Sequence, residues 1–275
     1  MSQSTTEIPF FVTIPHSGEK IPEQTPWLKS LPETVLMSDV DRFVDQLYEP
    51  SLSTLMIPFE KTMWHRYAVD LNRFPTDIDC DSVFGNKNIS GTHSDGYHWV
   101  KTKNEQQLMT LPMTPAAHDQ LTKLIFEPFH SAVKKHYENF SKNGHREIFH
   151  IDAHSMPSVG TRLHKDPGQL RAEIVVSDCA GKSCHPKFRD LVIAAYVTAG
   201  FKVGYNWPYL GGRVTEAYGH PKLGQNAIQV ELNRGLYMDE KTKQLNSETL
   251  LSVRKKIHIA LTYIKSELPN LRIQE

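Results

Sequence analysis

Short apolar runs alternate along the chain with longer stretches of helical period. Phe10–Ile14, Leu55–Phe59, Tyr67–Leu71, Glu147–Asp152, Ala172–Val176, Phe201–Tyr205 and Ala227–Leu232 have the length and bounding turn residues of strands. Between them the period changes to that of helices. One helix is predicted to begin near Ser38–Asp41, with Phe43, Val44, Leu47 and Tyr48 as its apolar stripe and acidic residues at its positive end. A long one is predicted over Pro115–Asn143, with Leu121, Leu124, Ile125, Phe129, Val133 and Tyr137 buried. Two more are predicted over Pro186–Ala199 and Ser247–Leu268, the last with Ser247 as N-cap. Strands alternating with helices predict an α/β fold, a mostly parallel or mixed sheet covered by helices. No repeat, low-complexity tract or linker interrupts the pattern, so residues 1–275 read as one domain.

Charge and cysteine content narrow the classes. Lys+Arg 31 equals Asp+Glu 31, so neither a nucleic-acid footprint nor a polybasic membrane patch is expected. The longest apolar runs, such as Leu191–Ala199, are too short to span a bilayer, and Met1–Glu7 lacks the regions of a signal peptide; a cytoplasmic location is the expectation. Three cysteines, Cys80, Cys179 and Cys184, do not make a disulfide framework. No phosphate-binding loop, dinucleotide fingerprint or Gly-x-Ser-x-Gly elbow is present.

The chemistry concentrates at strand ends, where open α/β sheets collect their ligands. Pro15-His16-Ser17-Gly18 follows the first strand, and Asp152-Ala153-His154-Ser155 ends the Glu147 strand. Two histidines so placed can meet at one metal ion, whose hydrolytic form takes a carboxylate as third ligand. Glu19, Asp39, Asp41 and Asp45 are the candidates; Asp41 and Asp45 are expected to share a helix face. Asp152 either orients a ligand, lies near the ion, or forms a purely structural pair with His154. Glu231, at the end of an apolar strand, suits a general base beside an activated water, or alternatively a salt bridge to Arg234 or another arginine. Arg66, Asn72, Arg73 and Arg213 are candidates for binding a substrate carboxylate. Residues 77–103 form a long, aperiodic stretch of the kind used for lids and binding loops.

In order and spacing these segments resemble the N-formylglutamate amidohydrolase family. The resemblance is carried by Pro15–Gly18, Asp41 with Val44–Tyr48, Arg66–Arg73, Asp152–Ser155, Ser177–Cys184, Gly211–Gly219 and Gln229–Leu232. It implies a three-layer α/β, zinc-carboxypeptidase-like (phosphorylase/hydrolase-like) fold, with a central mixed, mostly parallel sheet flanked by helices, and one Zn²⁺ held by His16, Asp41 and His154. It also implies Glu231 as base and acid, and an Asn72-Arg73 pair, with Arg66, for the carboxylate of a small-molecule substrate. The implied reaction is hydrolysis of an N-acyl amino acid, N-formyl-L-glutamate first. Arg213 and Glu216 depart from the family's usual residues in their stretch, which directs attention to a different acyl-amino acid. A carboxypeptidase-like or cell-wall peptide amidase, and a catalytically silent binding protein on the same fold, are the rival expectations.

Overall fold

The computed structural model describes residues 7–273 apart from Ser94; Met1–Thr6, the bulk of the segment judged above to lack a signal peptide, lie outside the described residues. Six strands form one sheet: β1 (Phe10–Ile14), β2 (Phe59–Lys61), β3 (Ile148–Met156), β4 (Ile174–Ser177), β5 (Val203–Tyr205) and β6 (Gln225–Asn233). Their order is β2-β1-β3-β6-β4-β5. All neighbours are parallel except β4 and β6. This is the mixed, mostly parallel sheet that the family resemblance implies, and the alternating pattern allows it.

The helices are α1 (Glu33–Leu36), α2 (Val44–Thr54), α3 (Pro115–Leu121), α4 (Glu127–Lys142), α5 (Pro186–Thr198), α6 (Arg213–Tyr218) and α7 (Ser247–Glu267). One face of the sheet packs Val12, Ile14, Ile151, Ala153, Ile228, Val230 and Val176 against α2, α5 and α7. The other face begins apolar, with Phe11, Ile148 and Ala227 under α3, α4 and α6. Towards the carboxyl ends of the parallel strands that second face turns polar: Thr13, Asp152, His154 and Glu231 are all buried there. A period of two assigns these side chains to one face, and the β3–β6 register sets His154 beside Glu231.

Several elements differ from the sequence reading. Leu55–Phe59 is not a strand; β2 starts only at Phe59. Tyr67–Leu71 forms turns and irregular backbone, where side-chain bonds to Asp70 stand in place of a ladder. The long helix is interrupted by a π-turn at Thr122–Phe126. The extra residue in such a turn rotates the stripe, so Leu124 is exposed while Leu121, Ile125, Phe129, Val133 and Tyr137 stay buried. Asn246, not Ser247, caps α7, its side chain accepting from the backbone N–H of Glu248 and Thr249. The acidic segment Ser38–Asp41 precedes α2 rather than opening it; Phe43, at φ 69°, makes the turn between them. Asp41 and Asp45 therefore do not share a helix face. No helix among the described residues is long and apolar enough to cross a membrane.

Candidate active site

The loop after β1 brings the first part of the site together. Gly18 lets it pass against Met63 and Trp64, where a Cβ would stand 2.4 Å from the Met63 carbonyl carbon. The backbone N–H of Asp41 donates to the His16 carbonyl at 2.9 Å, clipping the α2 approach to that loop. His154 arrives from β3. His16, Asp41 and His154 are buried together, each with a ligand-type atom within 4.8 Å of the others. Asp41 Oδ2 lies 3.0 Å from His154 Nδ1 and 3.6 Å from His16 Nδ1.

Each imidazole is held from behind by its own buried carboxylate. His16 Nε2 meets Asp70 Oδ1 at 2.8 Å, and His154 Nε2 meets Asp152 Oδ2 at 2.7 Å. Such carboxylate–histidine pairs fix ring orientation and leave Nδ1 for a cation. Asp70 also accepts from the Asn72 N–H, Arg66 Nη2 and Trp99 Nε1. Burial would raise its pKa, but the charges of His16 and Arg66 hold it well below the usual carboxylate range. The same competition acts at Asp41, where the His154 hydrogen bond, the adjacent His16 imidazole and the Arg66 charge overcome burial. At His154 burial opposes protonation, and Asp152 and Asp41 still raise its pKa well above the ordinary histidine value.

The remaining Asp41 oxygen is committed elsewhere. Arg234, fully buried, donates from Nη2 to Asp41 Oδ1 at 2.9 Å, from Nε to Ser155 Oγ at 3.1 Å and from Nη1 to the Ser38 carbonyl at 2.9 Å. Arg234 is thus Asp41's partner and makes no hydrogen bond or ion pair with Glu231, against the salt bridge weighed from sequence. Glu231 accepts from Gln229 Nε2 at 2.8 Å, while its Oε2 is buried without a partner. Burial, with the nearby Asp41 charge adding to it and His154 opposing, pushes its pKa up to about 7.

The other candidate residues are placed as follows. Glu19 pairs with Arg42, Asp45 with Lys61, and Asp39 accepts from the Tyr67 hydroxyl; none joins the cluster. Arg66 donates to the Asp39 carbonyl and to Asp70, with its guanidinium over the Trp99 ring. Asn72 Oδ1 accepts from the Val214 N–H at 2.7 Å, tying it to the first turn of α6. Arg73 donates from Nη1 to the Asn72 carbonyl and from Nε to the Asp95 carbonyl. Arg213 is half-exposed, paired with Glu216 and stacked on Phe74. Asp70 has no role in the sequence reading, although a charge inside the apolar run Tyr67–Leu71 is a signal that it must be paired; Arg234 figures there only as an alternative partner for Glu231.

His16 Nδ1 is buried and has no hydrogen-bond partner. A bare nitrogen aimed at a second nitrogen and a carboxylate oxygen is the donor set of a catalytic zinc site, so these residues fit such an ion. Sheet and cluster together define an α/β protein with a candidate metal centre at the carboxyl edge of its parallel strands. Residues 8–238 match the family model for N-formylglutamate amidohydrolase, and the chain belongs to that family. It is similar to an N-formylglutamate deformylase of Pseudomonas aeruginosa, 27% identical over 243 residues, covering 85% of this chain and 83% of the relative. A Pseudomonas putida protein of the same name is 24% identical, with 85% and 83% covered. The crystal structure of an N-formylglutamate amidohydrolase from Ralstonia eutropha JMP134 superposes with a TM-score of 0.82 at 23% identity, over 96% of this chain and 95% of that one. It shows the same fold.

Proposed function

We propose that this protein hydrolyses an N-acyl amino acid, with N-formyl-L-glutamate as the first substrate to test, using Zn²⁺ held by His16 Nδ1, His154 Nδ1 and Asp41 Oδ2. The observation that carries the reading is the convergence of these three atoms, with each imidazole backed by a separate aspartate. The names of the two Pseudomonas relatives support the choice of substrate. A divalent cation bound there supplies a Lewis acid for the amide carbonyl and acidifies a water. Glu231 Oε2, buried and without a partner, takes the proton of the attacking water and passes it to the leaving nitrogen. Asp70 and Asp152 hold the imidazoles in orientation; Arg234 holds Asp41.

Among the candidate cations, Arg73 suits the substrate carboxylate, because its Nη2 stands 3.9 Å from Asp95 Oδ2, beyond hydrogen-bond range. Asn72, which precedes it in the chain, and Arg66 are its companion candidates for that subsite, and Arg213 at the start of α6 is a further one. The shared sheet supports reading residues 1–275 as one amidohydrolase domain acting on a small molecule.

The test is formate release from N-formyl-L-glutamate by chelator-stripped and zinc-reloaded protein, run beside short peptides. Activity that vanishes on stripping and returns with zinc is the expected result. Peptide cleavage without formate release would move the reading to a carboxypeptidase-like enzyme. Absence of zinc uptake would end it.

A further inference from the structure

Behind His154 a column of buried polar side chains runs back along the same face of the sheet. His150, Asp152 and His154 alternate on β3, so a period of two sets all three on that face. Thr13 stands beside Asp152 in the β1–β3 register. Thr13, His150 and Asp152 have no solvent exposure. Thr13 Oγ1 lies 2.6 Å from Asp152 Oδ1 and 2.7 Å from His150 Nε2; His150 Nδ1 lies 3.1 Å from the Tyr137 hydroxyl of α4. Phe11 stacks on the His150 ring, centroids 4.3 Å apart and 13° from parallel.

The donor inventory allows this chain one direction. An ionised Asp152 only accepts, so the single Thr13 hydroxyl hydrogen goes to Oδ1. Thr13 Oγ1 must then accept, and His150 Nε2 must donate. Burial pushes the His150 pKa down to about 4, partly offset by Asp152, so the ring is neutral and its Nδ1 is an acceptor for the Tyr137 hydroxyl. At the other end Asp152 Oδ2 is left for the N–H at His154 Nε2. Every polar atom from Tyr137 to His154 Nε2 is thereby assigned, and His154 Nδ1 is the ring atom the chain does not use.

We infer that Tyr137, His150 and Thr13 are positioning residues for the proposed cation: acting through Asp152, they fix the tautomer and angle at which His154 presents Nδ1. The inference rests on the metal reading above. A half-satisfied buried network is a liability, and an apolar residue at position 150 would pack on Phe11 without the polar demand. The column orients a side chain that a bare sheet would leave to rotate.

Zinc affinity of the stripped full-length protein, measured by competition with a chromophoric chelator well below the unfolding temperature, tests it. Thr13→Val keeps the shape and drops the hydroxyl; Thr13→Ser keeps the hydroxyl. Thr13→Val is expected to bind zinc roughly tenfold more weakly, as loss of outer hydrogen-bond partners does elsewhere, with Thr13→Ser close to wild type. Wild-type affinity in folded Thr13→Val, or equal weakening in Thr13→Ser, overturns the inference while leaving the metal site intact. No zinc uptake by the wild-type protein overturns both. Should Thr13→Val not fold, Tyr137→Phe decides: it keeps the ring and removes one donor, so weaker zinc binding carries the inference and wild-type affinity overturns it.

Discussion

Arg234 Nη2 and Asp41 Oδ1 are 2.9 Å apart, and this contact divides the work of one carboxylate. Oδ1 faces the guanidinium; Oδ2 faces His154 and His16 at 3.0 and 3.6 Å. Arg234 lies just beyond β6 and Asp41 lies before α2, so the pair also ties two distant segments together. Both groups are buried.

Arg234→Met removes a buried charge and strands Asp41 and the Ser38 carbonyl without their donor. Breaking a buried pair from one side costs about 3 kcal/mol or more, and urea unfolding of the stripped proteins measures it. Arg234→Lys keeps the charge without the fork that spans Asp41, Ser155 and Ser38, and should recover only part of the loss. A loss below about 1 kcal/mol in Arg234→Met would mean that Asp41 is held by other contacts.

Asp70→Asn tests the clamp behind His16. The carboxylate takes four donors: His16 Nε2, the Asn72 N–H, Arg66 Nη2 and Trp99 Nε1. An amide in its place sets an N–H against one pair of these donors and leaves Arg66 uncompensated. Zinc affinity should fall about 10- to 100-fold, and formate release at saturating zinc should recover at least partly. An unchanged affinity would remove Asp70 from the site.

Glu231→Gln separates chemistry from binding. Zinc content should stay at the wild-type level while kcat falls roughly 10²- to 10⁴-fold, the usual worth of a general base. Stability should move the other way in metal-free protein. The folded-state pKa, near 7, lies above the unfolded value of 4.5, so the folded protein binds the extra proton between those limits. Stability is then fully present below about 4.5 and is lost as pH rises towards 7. The glutamine variant has no proton to lose, so above pH 7 its metal-free form should unfold at higher urea than wild type. Equal midpoints at pH 8 would deny that Glu231 is strained by burial.

The parts of this site legible in the sequence are those that interrupt an apolar run at a strand end. His16 follows β1, and His154 and Glu231 lie near the carboxyl ends of β3 and β6; the strand pattern alone locates them. Asp41 was not legible on physical grounds: it sits in a turn made by a left-handed Phe43, and four acids were equally eligible by spacing. Asp70 was hidden because Tyr67–Leu71 reads as a strand, whereas its charge draws donors from three directions and breaks any ladder. Arg234's partner was not legible either, since sequence proximity offers Glu231 and the fold delivers Asp41 from 193 positions away. The Thr13–His150 column was readable in principle, as His150, Asp152 and His154 alternate in a strand that otherwise buries isoleucine, phenylalanine and alanine.

Gly212→Ala probes how the Asn72 segment is anchored. A Cβ at position 212 would stand 2.0 Å from Asn72 Nδ2 and 2.5 Å from its Cγ. Gly212 has an ordinary extended backbone, so the demand for glycine comes from this close approach and not from its dihedral angles. The alanine methyl must push the amide away, and Asn72 Oδ1 then loses the Val214 N–H in the first turn of α6. Loss of such a cap costs about 1–2 kcal/mol. Asn72→Ala loses the same hydrogen bond but opens the space that the methyl needs. The double variant should therefore be destabilised by clearly less than the sum of the two single changes, read from urea midpoints in a four-way cycle. Strict additivity would show that Gly212 and Asn72 act independently, and that Arg73, the next residue, is not held in place through α6.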